Sequence, residues 1–524
     1  MLGVRVVRRW LLCVIAALQF TFLSAVQAAP AERFEPVRAA IREHLLQGRV
    51  PSVVVAVAKG NHILWEEGFG WADREKHLPA NPDTMYSLAS ISKPLTATAL
   101  MTLVKAGKVD LDRPVNDYLG EARLVAKIGD AREATVRRVA NHSAGLPEHY
   151  QFFYVDEPWR KPSPDEAILH YGQLFTPPGE HYEYSNLGYG VLSELVSRVS
   201  GQPFADYMRE AVFLPLGMAR SAIGEDPALE PYEAVRYGDD GRPISRYETD
   251  HEGASAAWAS AHDLLRFGMF NLKLHLKDQA AILPDALIDG MHQPTVQEGN
   301  GDSYGVGWET RPRSGYLLVE HTGDMPGVAT VLRMAPSVGV VVVVLCNEED
   351  FSFADDLANQ VLGIVLPEWR TPAKSDDGPA AAFTPPPEMV GVWSGRVETR
   401  DGARAMTITV LSSGETRLKI GEQWESIVRR PHITSDGYFR GTAMGDLAIT
   451  DGVRRPYVIG LRLKLRDHGR RLTGEVTARA DRTGVTANNG QFPAVNGHSA
   501  PIYVQNRGFV LAHWTELTKP SSRH

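Results

Sequence analysis

Ser90 and Lys93 close the tetrapeptide Ser90-Ile91-Ser92-Lys93, the single S-x-x-K in the chain. A serine hydroxyl is a weak nucleophile until a neighbouring base takes its proton. On a helix, residues three apart share a face with β-carbons about 5–6 Å apart, so the amine can reach the hydroxyl. The first turn of a helix also presents unpaired backbone N–H groups, donors suited to a developing oxyanion. The pair therefore fits acyl transfer without a Ser-His-Asp triad. The competing reading is structural: Ser90 caps the following helix and Lys93 is a solvated surface cation.

Two further segments follow in order. Tyr184-Ser185-Asn186 is the single Y-x-N, and His321-Thr322-Gly323 the single H-T-G. Asn186 offers a carbonyl acceptor and an amide donor. His321 supplies a cation when protonated or one hydrogen bond when neutral.

The succession of the three motifs resembles the penicillin-recognising serine enzymes, in the branch of class C β-lactamases and DD-carboxypeptidases that also holds esterases and D-aminopeptidases. Met85-Tyr86-Ser87-Leu88-Ala89, Asn141-His142-Ser143-Ala144-Gly145-Leu146-Pro147, Pro177-Pro178-Gly179 and Tyr304-Gly305-Val306-Gly307-Trp308 resemble that family's flanking segments. The likeness runs from roughly residue 33 to residue 365. It implies that Ser90 is the nucleophile and that Lys93 is buried, which depresses its pKa and lets it accept the serine proton. Tyr184 would share the proton shuttle, protonating the leaving group or, with its own pKa lowered by lysine, activating water. Which of Lys93 and Tyr184 is the base stays open.

By the same resemblance, Asn186, His321, Thr322 and Gly323 bind substrate. His321 stands where many members carry a lysine that meets the substrate carboxylate, and Gly323 lets substrate approach the strand closely. The backbone N–H groups of Ser90 and Asp324 would form the oxyanion hole, with the Asp324 carboxylate pointing away. His142 is expected to hydrogen-bond loop backbone, while Tyr150, Phe152, Phe153 and Trp159 are candidates for the pocket mouth against the commoner role of aromatics as core.

Several elements must position these residues. Glu32 to Gln47 has helical apolar spacing. Val50 to Lys59 and Ile63 to Gly70 form a hairpin around Gly60-Asn61. One helix runs from the nucleophile to about Gly107 and another from Leu187 to Gly201. Ser260-Ala261-His262-Asp263 reads as a capping box. Tyr316 to Val319, Ala329 to Met334 and Gly339 to Leu345 read as consecutive strands. A hairpin, a long helical insert and further strands predict an α+β fold, an antiparallel sheet flanked by helices with a helical subdomain. Residues 371–387 have linker composition. Beyond them, Met406, Ile408 and Val410, then Leu461, Leu463 and Leu465, alternate with polar neighbours, predicting a small all-β barrel or sandwich over 388–524. Its opening Gly391-Val392-Trp393 resembles that of lipocalins.

Composition narrows the rest. The chain has 524 residues, 43% hydrophobic, with a formal net charge of -8. It shows no long basic run, which argues against nucleic acid as a partner. Arg5, Arg8 and Arg9, an apolar stretch from Trp10 to about Ala25, and Val26-Gln27-Ala28 read as a signal peptide over residues 1–28, cut after Ala28. Removing those three arginines takes the charge from -8 to -11. The alternative is an uncleaved membrane anchor, the one circumstance in which a membrane would be a partner. Of two cysteines, Cys13 falls in the signal and Cys346 in a buried strand, so no internal disulfide is expected. No metal or cofactor is expected either.

The sequence thus predicts a periplasmic or secreted serine hydrolase acting through an acyl-enzyme on a small-molecule or peptide substrate, cell-wall fragments among the candidates. β-Lactamase, DD-carboxypeptidase, esterase and D-aminopeptidase activities all fit. Two other classes are a penicillin-binding sensor that acylates without turnover, and a β-domain adhesin carrying a vestigial hydrolase.

Overall fold

A computed structural model describes residues 32–238, 240–299, 301–372, 382–451, 457–481 and 507–519. The expected signal peptide and most of the expected linker lie outside these residues. Among the described residues no helix is long and apolar enough to cross a membrane.

Val53 to Ala58 and Val340 to Cys346 are apolar without interruption because both faces of their sheet are covered. They pair antiparallel, Val55 opposite Val344 and Val57 opposite Val342. Val53, Val55, Val57, Val342 and Val344 pack on one side with the helices Glu35–Leu46 and Phe351–Val365. Val54, Ala56, Val341, Val343 and Leu345 pack on the other with Leu264 and Phe267 of helix Ala261–Asn271. Side chains alternate across a strand, so one valine-rich run serves two cores.

The sheet has nine strands, ordered Val296–Gly299, Asp302–Tyr304, Glu309–Arg313, Tyr316–Met325, Val328–Ala335, Val340–Cys346, Ser52–Lys59, His62–Asp73 and Leu78–Pro79. The α+β architecture predicted from sequence is therefore present, with the hairpin turn at Gly60-Asn61. Three local expectations change. The strand predicted as Tyr316 to Val319 continues to Met325, carrying the H-T-G motif inside it. Ser90 lies in a 3-10 turn, Ala89–Ile91, and the α-helix starts only at Ser92. Ser260 caps its helix by accepting from the Asp263 N–H, but the Asp263 carboxylate turns to the Arg220 N–H and the Ser221 hydroxyl, so the box is half formed.

Residues from Gly391 onward form a second antiparallel sheet whose edge strands, Ser426–Ile427 and Arg429–Ile433, are separated by one residue. Its two edges therefore meet in a nearly closed barrel, which removes exposed strand edges. Trp393 is fully buried at its core and donates from Nε1 to the Met389 carbonyl at 2.8 Å.

The barrel is not a free appendage. Its strand Arg507–Thr518 runs on to pair with Tyr150–Tyr154 from the preceding part of the chain, Val510 opposite Tyr150. Glu180 accepts hydrogen bonds from Lys464 at 2.8 Å, from Arg466 at 2.7 Å and from the Tyr438 hydroxyl at 2.8 Å. Glu183 pairs with Arg462 at 2.6 Å. Burial alone would raise the Glu180 carboxyl, but the Arg466, Lys464 and Tyr438 hydrogen bonds outweigh it and bring the pKa from 4.5 down to about 2. A carboxyl depressed on folding contributes stability that is complete above its unfolded value and lost as pH falls through its folded value. Thermal unfolding of Glu180→Gln against the wild-type protein should show a deficit that is full above pH 4.5 and closes toward pH 2.

Candidate active site

Four segments meet where the Ser90 turn sits between the sheet and the helical insert. Ala89 has φ +48°, an uncommon conformation for a residue with a side chain, and the turn is held from several directions. Leu88 donates its N–H to the Ala257 carbonyl at 2.9 Å and accepts on its own carbonyl from Thr330 Oγ1 at 2.9 Å. Ser92, completely buried, donates from Oγ to the Ala89 carbonyl at 2.6 Å and accepts from the Ala257 N–H at 2.9 Å. Backbone strain such as that at Ala89 persists only when its surroundings over-determine it, as here.

Lys93 is fully buried on the first turn of helix Ser92–Lys105. Its Nζ lies 3.0 Å from Ser90 Oγ, 2.8 Å from Asn186 Oδ1 and 3.2 Å from the Ala254 carbonyl. It also sits 4.6 Å from the centroid of the Tyr184 ring. Burial pushes the amine well below 10.5, against a smaller opposing pull from Glu309. A neutral amine has two N–H donors and one lone pair. Asn186 and Ala254 take the donors, so the lone pair is left for the Ser90 hydroxyl. The surface-lysine reading does not hold at this position.

Tyr184 hydrogen-bonds Ser90, yet burial raises its phenol well above 10 and the Ser90 contact only partly offsets that. The expectation of a lysine-lowered tyrosine is therefore reversed, and Tyr184 stays protonated as a donor. Ser185 caps helix Asn186–Ser200 by accepting from the Gly188 N–H at 3.2 Å, and its own N–H donates to His142 Nδ1 at 3.1 Å. His142, with φ +63°, packs its ring 4.5 Å from that of Tyr184. It thus orients the motif through backbone, as its loop position suggested.

His321 is 1% exposed, with Nε2 2.9 Å from the Tyr304 hydroxyl and Nδ1 2.8 Å from the Thr322 carbonyl. Nδ1 carries the proton it donates to that carbonyl, and Nε2 accepts from the phenol. Burial first, then the nearby Lys93, bring its pKa to about 3. His321 is neutral at ordinary pH and does not offer a cation to a substrate carboxylate. Strand Tyr316–Met325 pairs with Glu309–Arg313 only as far as Glu320, so from His321 onward that edge is open to the cavity. Gly323 faces elsewhere than expected. A Cβ there would overlap the Leu88 carbonyl and Thr330 Oγ1, so the glycine lets the strand close on the Ser90 turn.

The cavity holds about 230 Å3 and is lined by Ser90, Glu148, Tyr150, Phe152, Tyr184, Asn186, His251, Ser255, Glu309, His321, Thr322, Asp324 and Met325. Tyr150 and Phe152 join it because the barrel holds their strand, whereas Phe153 and Trp159 are not among its lining residues. Asp324 is also among the lining residues. Neither Lys nor Arg is among the described lining residues, while Glu148, Glu309 and Asp324 are. His251 was not legible from motif spacing. Among the described residues it belongs to the one group of three, His149, Asp250 and His251, whose imidazole and carboxylate atoms all lie within 4.8 Å of one another. Its contacts of 2.7 and 2.6 Å are hydrogen-bond lengths.

Residues 37–365 match the Beta-lactamase family. The putative penicillin-binding protein PbpX of Bacillus subtilis (strain 168) is 25% identical over 318 residues, 60% of this chain and 74% of that protein. The chain spans between 60% and 74% of the length of such curated relatives. The structure of SurE with D-Leu superposes with a TM-score of 0.59 at 20% identity, over 82% of this chain and 98% of that one. A class C beta-lactamase from Rhodobacter sphaeroides superposes with a TM-score of 0.53 at 22% identity, over 64% of this chain and 99% of that one.

The packing at Gly323 is directly testable. Gly323→Ala should lower stability by about 1–3 kcal/mol, the usual cost of overpacking. It should also cut turnover by roughly a hundredfold, because the Ser90 turn must shift. Wild-type melting temperature together with unchanged rates would refute the packing account.

Proposed function

We propose, for a chain that belongs to the beta-lactamase family, a serine hydrolase that works through an acyl-enzyme on Ser90. The observation that carries the reading is the buried Lys93 amine, held 3.0 Å from Ser90 Oγ with its ordinary pKa depressed by burial. Lys93 takes the hydroxyl proton as Oγ attacks the substrate carbonyl. The protonated Tyr184 phenol, hydrogen-bonded to Ser90, delivers a proton to the leaving group and is recharged from Lys93. Asn186 holds the amine in place through Oδ1 and keeps its amide N–H groups for the substrate. The oxyanion is received by backbone N–H groups of Ser90 and of Asp324, whose carboxylate disfavours a negative charge placed beside the side chain.

The proposed substrates are esters and amides of uncharged or amine-bearing acyl groups. The neutral His321 and the acidic lining of the cavity support this class over substrates that carry a carboxylate next to the scissile bond. Peptides with D-residues are a natural trial set, given the D-Leu named with SurE. Export is part of the same proposal and rests on the pattern Arg5 to Ala28; N-terminal sequencing of the protein recovered from its cells would place the cut.

The deciding experiment compares wild type with Ser90→Ala and Lys93→Ala on p-nitrophenyl esters, D-amino acid amides and nitrocefin. Turnover of an ester or amide should fall by roughly a thousandfold or more in Ser90→Ala, the scale seen when a covalent nucleophile is removed. Lys93→Ala should fail to acylate, and nitrocefin should be the poorest of the three classes. Equal rates for wild type and Ser90→Ala would overturn the mechanism. Stoichiometric labelling by a penicillin without product release would instead indicate a sensor.

A further inference from the structure

Acylation has a base in Lys93, but release of the acyl group needs a second one, placed to take a proton from water. Tyr184 is a poor choice because burial keeps its phenol protonated. Glu309 and Glu148 line the cavity, but each is ion-paired, Glu309 with Arg311 and Glu148 with Arg479 at 3.5 Å. His321 has both ring nitrogens engaged, by Tyr304 and by the Thr322 carbonyl.

His251 differs from all of these. It lines the same cavity as Ser90 and Tyr184. Its Nδ1 donates to Asp250 Oδ1 at 2.6 Å, which fixes the tautomer and leaves Nε2 as an acceptor. The other Asp250 oxygen accepts from His149 Nε2 at 2.7 Å, so the carboxylate is held from both sides. All three side chains are buried, at 1% exposure or less. Burial disfavours the charged Asp250, but the two imidazoles outweigh it and hold the carboxyl well below its ordinary value. Burial lowers the His251 pKa, with Asp250 pulling the other way, so the ring is neutral and ready to accept. The backbone is placed as firmly as the ring. A Cβ on Gly190, in the helix that begins at Asn186, would stand 3.1 Å from His251 Cα. Three residues on, the Ala254 carbonyl contacts the Lys93 amine.

We propose that His251 is the general base of deacylation, taking a proton on Nε2 from the water that attacks the Ser90 ester. The inference rests on the acyl-enzyme reading above. The water oxygen bonds to the acyl carbon while its proton passes to Nε2, forming an imidazolium paired with the Asp250 carboxylate. The tetrahedral intermediate then breaks its bond to Ser90 Oγ, and that oxygen recovers a proton from the imidazolium. The carboxylic acid product leaves with the hydroxyl of water, and no oxidant, metal or further reactant is consumed. Asp250 acts as a positioning residue, and His149 keeps its second oxygen satisfied.

The test uses the full chain and a p-nitrophenyl ester, whose nitrophenol reports acylation as a burst and deacylation as the steady rate. In His251→Asn the burst should remain near one equivalent with a rate within about threefold of wild type. The steady rate should fall by roughly 10²–10⁴-fold, the range for loss of a general base, and mass spectrometry should find Ser90 acylated. Hydroxylamine attacks with a free lone pair and needs no proton removed first, so it should restore release in the variant. Asp250→Asn should show the same burst with a smaller loss in the steady rate. A steady rate within threefold of wild type in His251→Asn would overturn the proposal. Loss of the burst itself would also overturn it, assigning His251 to acylation or to folding. If the wild-type protein, treated with the ester, never carries an adduct that Ser90→Ala abolishes, the acyl-enzyme reading fails first and takes this inference with it.

Discussion

An amine buried without a carboxylate bonded to it is the constraint on which the rest of this site is built. Moving an ammonium out of water is costly unless it is paired, and the usual outcome is that the group neutralises. Lys93 is surrounded by an amide oxygen, a backbone carbonyl, a serine hydroxyl and two aromatic rings. The two carbonyl oxygens accept its N–H groups, the hydroxyl meets its lone pair and the rings offer polarisable faces, and none brings a full negative charge into contact. That environment pushes the lysine pKa down and suits it to the role of base in the proposed mechanism. The same low polarity keeps Tyr184 and the neighbouring Tyr304 protonated and His321 neutral. One physical condition therefore sets the protonation of the whole constellation.

Holding such an environment requires rigidity on every side. The nine-stranded sheet supplies one wall, and its open edge beyond Glu320 is where the H-T-G segment faces the cavity. The helix beginning at Asn186 supplies another, started by the Ser185 cap and oriented by His142. The barrel supplies the third. It takes Tyr150–Tyr154 into its own sheet and grips Glu180 and Glu183, a few residues before Tyr184, with Lys464, Arg466 and Arg462. These charge pairs are half-buried or buried, where geometry matters more than at an exposed surface. The C-terminal barrel and Tyr184 are thus mechanically connected through about four residues of chain.

Much of the arrangement was legible before any fold was known. Acyl transfer without a Ser-His-Asp triad can use a hydroxyl and an amine one turn apart, and that short spacing survives in the linear text as Ser90 and Lys93. The valine runs declared strands, and Gly201 declared a helix end. Two readings failed for a physical reason. The strand at Tyr316 was cut short because the polar His321-Thr322-Gly323-Asp324 interrupts its apolar alternation, although the strand continues to meet Val328–Ala335. Gly323 was assigned to the substrate because sequence does not show that the Leu88 carbonyl occupies the space its side chain would fill.

The identity and order of the reacting groups belong to the sequence, since residue types and local spacing are written in it directly. Their charge states belong to the tertiary structure, because a pKa depends on burial and on neighbours that arrive from distant segments. His149 and Asp250 are 101 residues apart and meet only in the folded chain. The same holds for Glu180 and Arg466, and for the strand pair of Tyr150 with Val510. No periodicity encodes such contacts; they exist only once the sheet, the helical insert and the barrel have closed around a common cavity.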